Sequence, residues 1–448
     1  MTTLTKRMTE GSPWKLIVKF SLPIMLGNLL QQLYNTVDSV IVGQFVSSEA
    51  LGAVGTCAPL TVLFLAFAIG LSTGASILIA QLFGAGKIEE MRKSVSTALI
   101  LLAGFGLGIS VLGYFASKPL LQYALGVPAS VLSAAVTYMR IYCIGLLFQF
   151  VYNIAAAILR AVGDSSATLY FLLISSVINI ALDLLFILSF GWGVAGAAIA
   201  TVLAQLCSAA ASLIYMFRRY EALRFKREEF MFVGSYGKTM LRFGVPVALQ
   251  QCMMSLGQLF IQRLVNHFGT DMMGAYTAAG RLESYVMIPI LGLNAGMNVY
   301  VGQNVGAKKL DRVRTGVRQI VVVSAVICAA LSLIMFTLGG QIVRIFGLEG
   351  QALALARQYV RCEAPFYIIF AVYQVAAGTL QGSGDVTFAT GCTVESLIIR
   401  IAASYLLAYL TPLSYAAIWW AMPIAWFAAL FPAYIRYFSG AWVQKSVV

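Results

Sequence analysis

Long apolar runs, separated by short polar connections, follow one another along the whole chain. A helix that crosses a bilayer needs about 20 predominantly apolar residues. A dozen runs meet that length: 15–44, 51–82, 94–116, 130–158, 166–189, 193–217, 237–266, 272–303, 316–339, 352–380, 387–410 and 414–437. The pattern predicts an all-α integral membrane protein of twelve transmembrane helices. Several runs exceed the minimum, so those helices must tilt, kink or project from the membrane. Pro23, Pro246, Pro289 and Pro365 each remove a backbone donor and are predicted kink points. Ser12 and Pro13 read as the cap and first turn of the first helix, with Trp14, Lys15 and Lys19 at the headgroup level.

The runs form two sets of six. FSLP at 20–23 matches FGVP at 243–246. GLSTG at 70–74 matches GLNAG at 292–296, and QLFGAGK at 81–87 matches QNVGAKK at 303–309. YMR at 138–140 matches YVR at 359–361. LRAVGDSSAT at 159–168 matches LQGSGDVTFAT at 380–390. The shift stays at about 222 residues, a register that chance similarity between greasy helices would not hold. The expected organisation is an N-lobe at 1–217, a basic linker at 218–236 and a C-lobe at 237–448. Each copy has an even number of spans, so both enter the membrane from the same side. The pseudo-two-fold axis then runs along the membrane normal, and two such lobes suit alternating access. The pairs Gly70/Gly74 and Gly292/Gly296 are expected to let helices pack closely.

Composition agrees with a lipid setting. The 448 residues are 60% hydrophobic and only 10% charged, with mean hydropathy +0.86, against roughly a quarter charged in soluble domains. The net charge of +13 does not point to nucleic acid, because the basic residues lie between apolar runs rather than on one polar face. They alternate instead. Lys6, Arg7, Lys15 and Lys19 precede the first run; Lys87, Arg92 and Lys93 follow the second; Arg160 the fourth; Arg218, Arg219, Arg224, Lys226 and Arg227 the sixth; Lys308, Lys309, Arg312 and Arg314 the eighth. By the positive-inside rule both termini are expected in the cytoplasm, in a multi-pass inner-membrane protein. No cleavable signal peptide is expected. The seven cysteines form no CxxC pair and read as small buried hydrophobes. A single histidine, His267, excludes a multi-histidine metal site within this chain.

Chemistry is sought among the polar residues inside the runs, since a carboxylate near the bilayer centre is costly. Gln31, Tyr34, Asn35 and Asp38 extend from Asn28 as one polar stripe along the first span. Ser175, Asn179 and Asp183 recur every four residues on the fifth, and Thr201 lies on the sixth. Two carboxylates with amide and hydroxyl oxygens suit a hard cation such as Na+, and the same pair can carry a proton. The plainer reading is that Asp38 and Asp183 satisfy neighbouring polar groups. The second half does not repeat the pattern: Ile261 and Ser404 stand at the corresponding positions. Its ionisable residues come as Arg281 and Glu283, Arg361 and Glu363, Glu395 and Arg400. Each couple either neutralises itself, or its acid faces a cavity for cationic substrates. Asp164 and Asp385, after the repeated glycine, are expected to cap spans five and eleven.

These features resemble the multidrug and toxic compound extrusion (MATE) family over nearly the whole chain. The resemblance rests on the 6+6 layout, FSLP/FGVP, QLFGAGK/QNVGAKK and the LRAVGD/LQGSGD loops. It implies an antiporter that exports small organic, often cationic, compounds against entry of Na+ or H+, with no other cofactor or metal and no obligatory protein partner. It also implies an N-lobe cation site at Asp38, Asn179, Asp183 and Thr201, and polar lobe-lining positions at Tyr138 and Asn153. With these, Gln31, Tyr34, Asn35, Glu283, Glu363 and Glu395 complete the substrate-cavity candidates. The alternatives are a lipid-linked oligosaccharide flippase of the same superfamily, a channel, and a membrane-embedded enzyme. No HExxH, no P-loop and no GxGxxG after a strand favours the last.

Overall fold

The computed structural model describes residues 7–45 and 48–447, with side chains described outside 35–51. Asn35 and Asp38 therefore lie outside the described side chains. Thirteen α-helices follow in order: α1 (Pro13–Phe45), α2 (Ser48–Gly84), α3 (Ile88–Pro119), α4 (Ala129–Ala161), α5 (Ser165–Asp183), α6 (Gly193–Arg219), α7 (Gly234–His267), α8 (Thr270–Gly306), α9 (Leu310–Arg344), α10 (Gly350–Glu363), α11 (Tyr367–Ser383), α12 (Val386–Leu410) and α13 (Ala416–Phe438). Helices α10 and α11 form one span, broken by a 3-10 turn at Ala364–Phe366 that holds Pro365. Eleven spans among the described residues are long and apolar enough to cross a membrane. The twelfth, α7, has 34 residues but carries Lys238, Arg242, Gln250, Gln251, Gln258, Gln262 and Arg263 along its length.

Several boundaries differ from the sequence expectation. Helices α3 and α9 begin at Ile88 and Leu310, a turn or more before their apolar runs. Acidic first turns, with Glu89 and Glu90 in α3 and Asp311 in α9, favour a helix start there. Pro23, Pro246 and Pro289 sit inside continuous helices, so of the four expected kink points only Pro365 coincides with a break. Two π-helical turns, Leu120–Ala124 and Leu184–Ser189, end α3 and α5.

The described chain divides into two compact units, and the division falls inside α1 and α7. Among the described residues, one unit holds Leu26–Leu249 with Arg7; the other holds Met8–Met25 with the chain from Gln250 onward. In the first unit, the small residues of α2 admit the first half of α7. A Cβ on Gly70 would strike the backbone of Ala248, and one on Gly74 the Met240 carbonyl. In the second, Gly292 and Gly296 of α8 admit the first half of α1, at Met25 and at Ser21 and Ile17. The glycine pairs thus serve close helix approach. The second unit also anchors the segment before α1. The Met8 N–H donates to Gln303 Oε1 at 2.8 Å, Asn304 Nδ2 to the Met8 carbonyl at 3.1 Å, and Lys309 Nζ to the Thr9 carbonyl at 3.1 Å. The QNVGAKK motif is therefore a receptor for the chain's own start.

The basic segment between α6 and α7 packs on α3 within the first unit. Arg92 Nε donates to the Ala222 carbonyl at 3.2 Å, Ser96 Oγ to the Met231 carbonyl at 3.1 Å, and the Val233 N–H to Thr97 Oγ1 at 3.1 Å. The repeated glycine–aspartate loops place Gly163 (φ 92) and Gly384 (φ 98) in the left-handed region, which glycine enters freely. The aspartates that follow part company. Asp164 caps α5 by accepting from the Ala167 N–H at 3.1 Å. Asp385, expected as a cap, makes no capping bond; it accepts instead from Arg436 Nε at 2.7 Å, because a guanidinium outbids a backbone amide for a carboxylate.

Candidate functional site

Three elements of the first unit bring polar groups to one point. Helix α5 presents Asn179 and Asp183 on one face, 2% and 0% exposed. Asp183 is the last α-helical residue before the π-turn Leu184–Ser189, a backbone irregularity of the kind common at functional sites. The Asn179 amide, oriented to satisfy all its neighbours, donates to Tyr34 Oη at 2.8 Å and to Asp183 Oδ2 at 2.8 Å, and accepts from the Thr201 N–H at 3.1 Å. Thr201 Oγ1 donates to the Ala197 carbonyl at 3.0 Å. Ser175, one turn back on α5, donates to the Ala204 carbonyl at 3.2 Å and ties α5 to α6. Tyr34, Asn179, Asp183 and Thr201 therefore meet, an oxygen-rich group with a buried carboxylate.

The other first-unit candidates have different surroundings. Gln31 is exposed and Asn153 half-buried. Asn153 turns its amide back on α4, donating to the Gln149 carbonyl at 2.8 Å. Tyr138 stacks on Tyr142 at 6.2 Å with nearly parallel rings, and the Tyr142 hydroxyl donates to Gln149 Oε1 at 3.0 Å.

A second polar centre lies in the other unit. A cavity of about 470 Å3 is bordered by α7, α8, α10, α12 and α13, with Glu283, Tyr276, Tyr359 and Arg400 on its wall. The Tyr359 hydroxyl donates to Glu283 Oε2 at 2.8 Å, and Arg400 Nη2 donates to the Tyr276 hydroxyl at 3.3 Å. Glu363, fully buried, sits one turn beyond Tyr359 on α10. The couples expected from the sequence do not form: among the described residues no ion pair joins Arg281 to Glu283, Arg361 to Glu363 or Glu395 to Arg400. Residues two or five apart point away from each other on a helix. Arg361 and Glu395 are accordingly exposed while Glu363 and Arg400 are buried. Glu395 does not border the cavity. Sequence reasoning passed over Tyr276, Tyr359, Gln258 and Gln262. The four-residue spacings Gln258/Gln262 and Tyr359/Glu363 were the available signal.

The MatE family model matches residues 23–185 and 246–406. The chain belongs to the MATE family. It is 28% identical to the probable multidrug resistance protein YoeA of Bacillus subtilis (strain 168), covering 99% of this chain and 97% of that protein. It is 26% identical to the probable multidrug resistance protein NorM of Thermotoga maritima, over 83% of this chain and 80% of that one. A solved MATE structure in the bent conformation aligns with TM-score 0.92 at 25% identity, covering 99% of both chains. An outward-facing multidrug resistance MATE family transporter aligns with TM-score 0.91 at 25% identity, covering 100% of both. As a MATE protein this chain is a multi-pass membrane transporter for small molecules, working as a single chain, and not an enzyme.

Proposed function

We propose that this chain exports small organic compounds, cations among them, in exchange for inward flow of Na+ or H+. The observation that carries the reading is the meeting of buried Asn179 and Asp183 on α5 with half-buried Thr201 on α6 and Tyr34 on α1. A carboxylate held with amide and hydroxyl groups is a fitting seat for a hard cation or a proton. Asp38, four residues after Tyr34 in the sequence, supplies the second carboxylate in this reading. The names of the relatives, multidrug resistance proteins, support organic compounds as cargo. Alternating access follows if the coupling ion and the cargo prefer different states of the protein. The basic connections support a cell-membrane protein with both termini in the cytoplasm and anionic lipid, rather than nucleic acid, as the partner of its basic loops.

Ethidium efflux from cells tests this, with Na+ and proton gradients imposed separately on the wild type, Asp38→Asn and Asp183→Asn. The expected result is export by the wild type under one gradient and a loss of at least about tenfold in both variants at equal expression. Normal export by both variants removes the ion site from the first unit.

A further inference from the structure

The second unit carries another recess, which shares no wall residue with the cavity at Glu283. It measures about 720 Å3 and opens between α10 and α13, with Arg357, Gln358, Arg361, Phe366 and Trp420 on its wall. Arg357, Gln358 and Arg361 are exposed along one face of α10. The helices on either side expose large apolar residues: Leu333 and Phe336 on α9, and Trp420, Ile424 and Phe427 on α13. In a membrane protein such a surface faces lipid. Two arginines are therefore set in an apolar, lipid-facing surround, where a charge is costly without a counter-charge.

Protein supplies no such counter-charge. Among the described residues no carboxylate forms an ion pair with Arg357 or Arg361, and Glu363, two residues on, is fully buried. Yet Arg357 is held in place. Its Nε donates to the Gly340 carbonyl of α9 at 3.3 Å, one of the five donors of a guanidinium. A Cβ on Gly340 would stand 2.8 Å from Arg357 Cγ, so the absence of a side chain at Gly340 is what lets the arginine lie there.

The recess sits near the ends of its helices. Gly340 is one turn before the end of α9 at Arg344, and Trp420 is one turn into α13. Tryptophan and arginine at that depth belong to the headgroup level. This is the end of α9 remote from the basic turn at Lys308 and Lys309, so the arginines are not part of that basic cluster. From Trp420 the wall continues through Phe366 to Phe427, with successive ring centroids 5.9 and 6.4 Å apart. Phe427 lies about 10 Å further along α13 than Trp420, the direction an acyl chain takes from its headgroup.

We infer that this recess seats an anionic phospholipid, its phosphodiester held by Arg357 and Arg361 and an acyl chain laid along Trp420, Phe366 and Phe427. The planar forks of two arginines match phosphate oxygens. A glycerol headgroup brings only the phosphate's negative charge, whereas the ammonium of an ethanolamine headgroup would be repelled by the same guanidiniums.

The test uses the purified full-length protein in phosphatidylcholine nanodiscs doped with a photoactivatable lipid. The probes are phosphatidylglycerol and phosphatidylethanolamine carrying the same diazirine acyl chain. Peptide mass spectrometry reads labelling at Phe366 and Trp420, with the exposed Leu112 and Phe115 of α3 as the internal reference. In the wild type, phosphatidylglycerol is expected to label the recess about tenfold more than phosphatidylethanolamine after that normalisation, from two arginines acting on one anionic headgroup. Arg357→Gln and Arg361→Gln are each expected to cut the excess severalfold, and Arg361→Lys to keep part of it. The wild-type comparison needs no substitution, so it decides against the inference even if a variant fails to fold. Equal labelling by the two probes overturns the inference. A glycerol-headgroup excess that survives in both glutamine variants overturns the assignment of the arginines. Loss of the excess on adding millimolar inorganic phosphate shows a site for free anions and overturns the lipid as occupant.

Discussion

Single residues in this chain reveal how far each copy of a repeated motif has drifted. QLFGAGK and QNVGAKK close the same turn, and both need a residue in the left-handed region. The first copy supplies Gly86 at φ 74, the second Lys308 at φ 57. A side chain there costs roughly 1 kcal/mol relative to glycine. Lys308 is exposed, so Lys308→Gly should raise the thermal midpoint of the purified protein by about a degree, measured by a scanning melt. The aspartates of the glycine–aspartate loops have diverged further. Asp164 receives hydrogen bonds from the Tyr220 hydroxyl at 2.6 Å and the Tyr215 hydroxyl at 3.1 Å. Burial, then the Asp164 carboxylate, pushes the Tyr220 phenol well above its ordinary value. A raised phenol retains its proton in the folded state. Its contribution to stability is full below about pH 10, the unfolded value, and is lost as pH climbs beyond. Tyr220→Phe should be less stable than the wild type at pH 8, with a shallower decline above pH 10. Alkaline melts of the two proteins would show whether the curves converge.

Helices were the most legible level, because twenty apolar residues in a row leave few other choices. The N- and C-terminal limits were less so. The early starts of α3 and α9 are written in charged residues, which an apolar-run reading discards. The π-turn after Asp183 has no sequence signal comparable to a proline. The four-residue spacing of Ser175, Asn179 and Asp183 did predict their shared face, since helix periodicity alone determines it. The second unit's centre was not legible for the opposite reason. Glu283, Tyr359 and Arg400 come from three helices, and adjacency along the chain suggested couples that helix geometry separates. The glycine pairs give the sharpest prediction at this scale. Gly70→Ala places a Cβ against the α7 backbone, so the helices must part, and a clear drop in melting temperature and folded yield should follow. Gly104, inside α3 with nothing within 4 Å of its Cβ position, is the control. Gly104→Ala should be neutral or gain up to about 1 kcal/mol from reduced chain entropy.

For the whole molecule, the two units take their boundaries from helices rather than from the connecting segment. Residues Met8–Met25, which include the start of α1, belong with the later part of the chain, and the first half of α7, through Leu249, with the earlier part. Met8, Ile17 and Phe20 share one core with Leu293, Met297 and Tyr300. Severing the chain near residue 225 and co-expressing the pieces should therefore give fragments that co-purify, whereas either alone should be degraded. Pull-down through a tag on one fragment checks this. The arrangement is an internal domain swap: each copy of the repeat lends its first arm to the other. Either six-helix copy on its own would carry an arm whose glycine seat lies on the other copy, so neither half is complete as a folding unit.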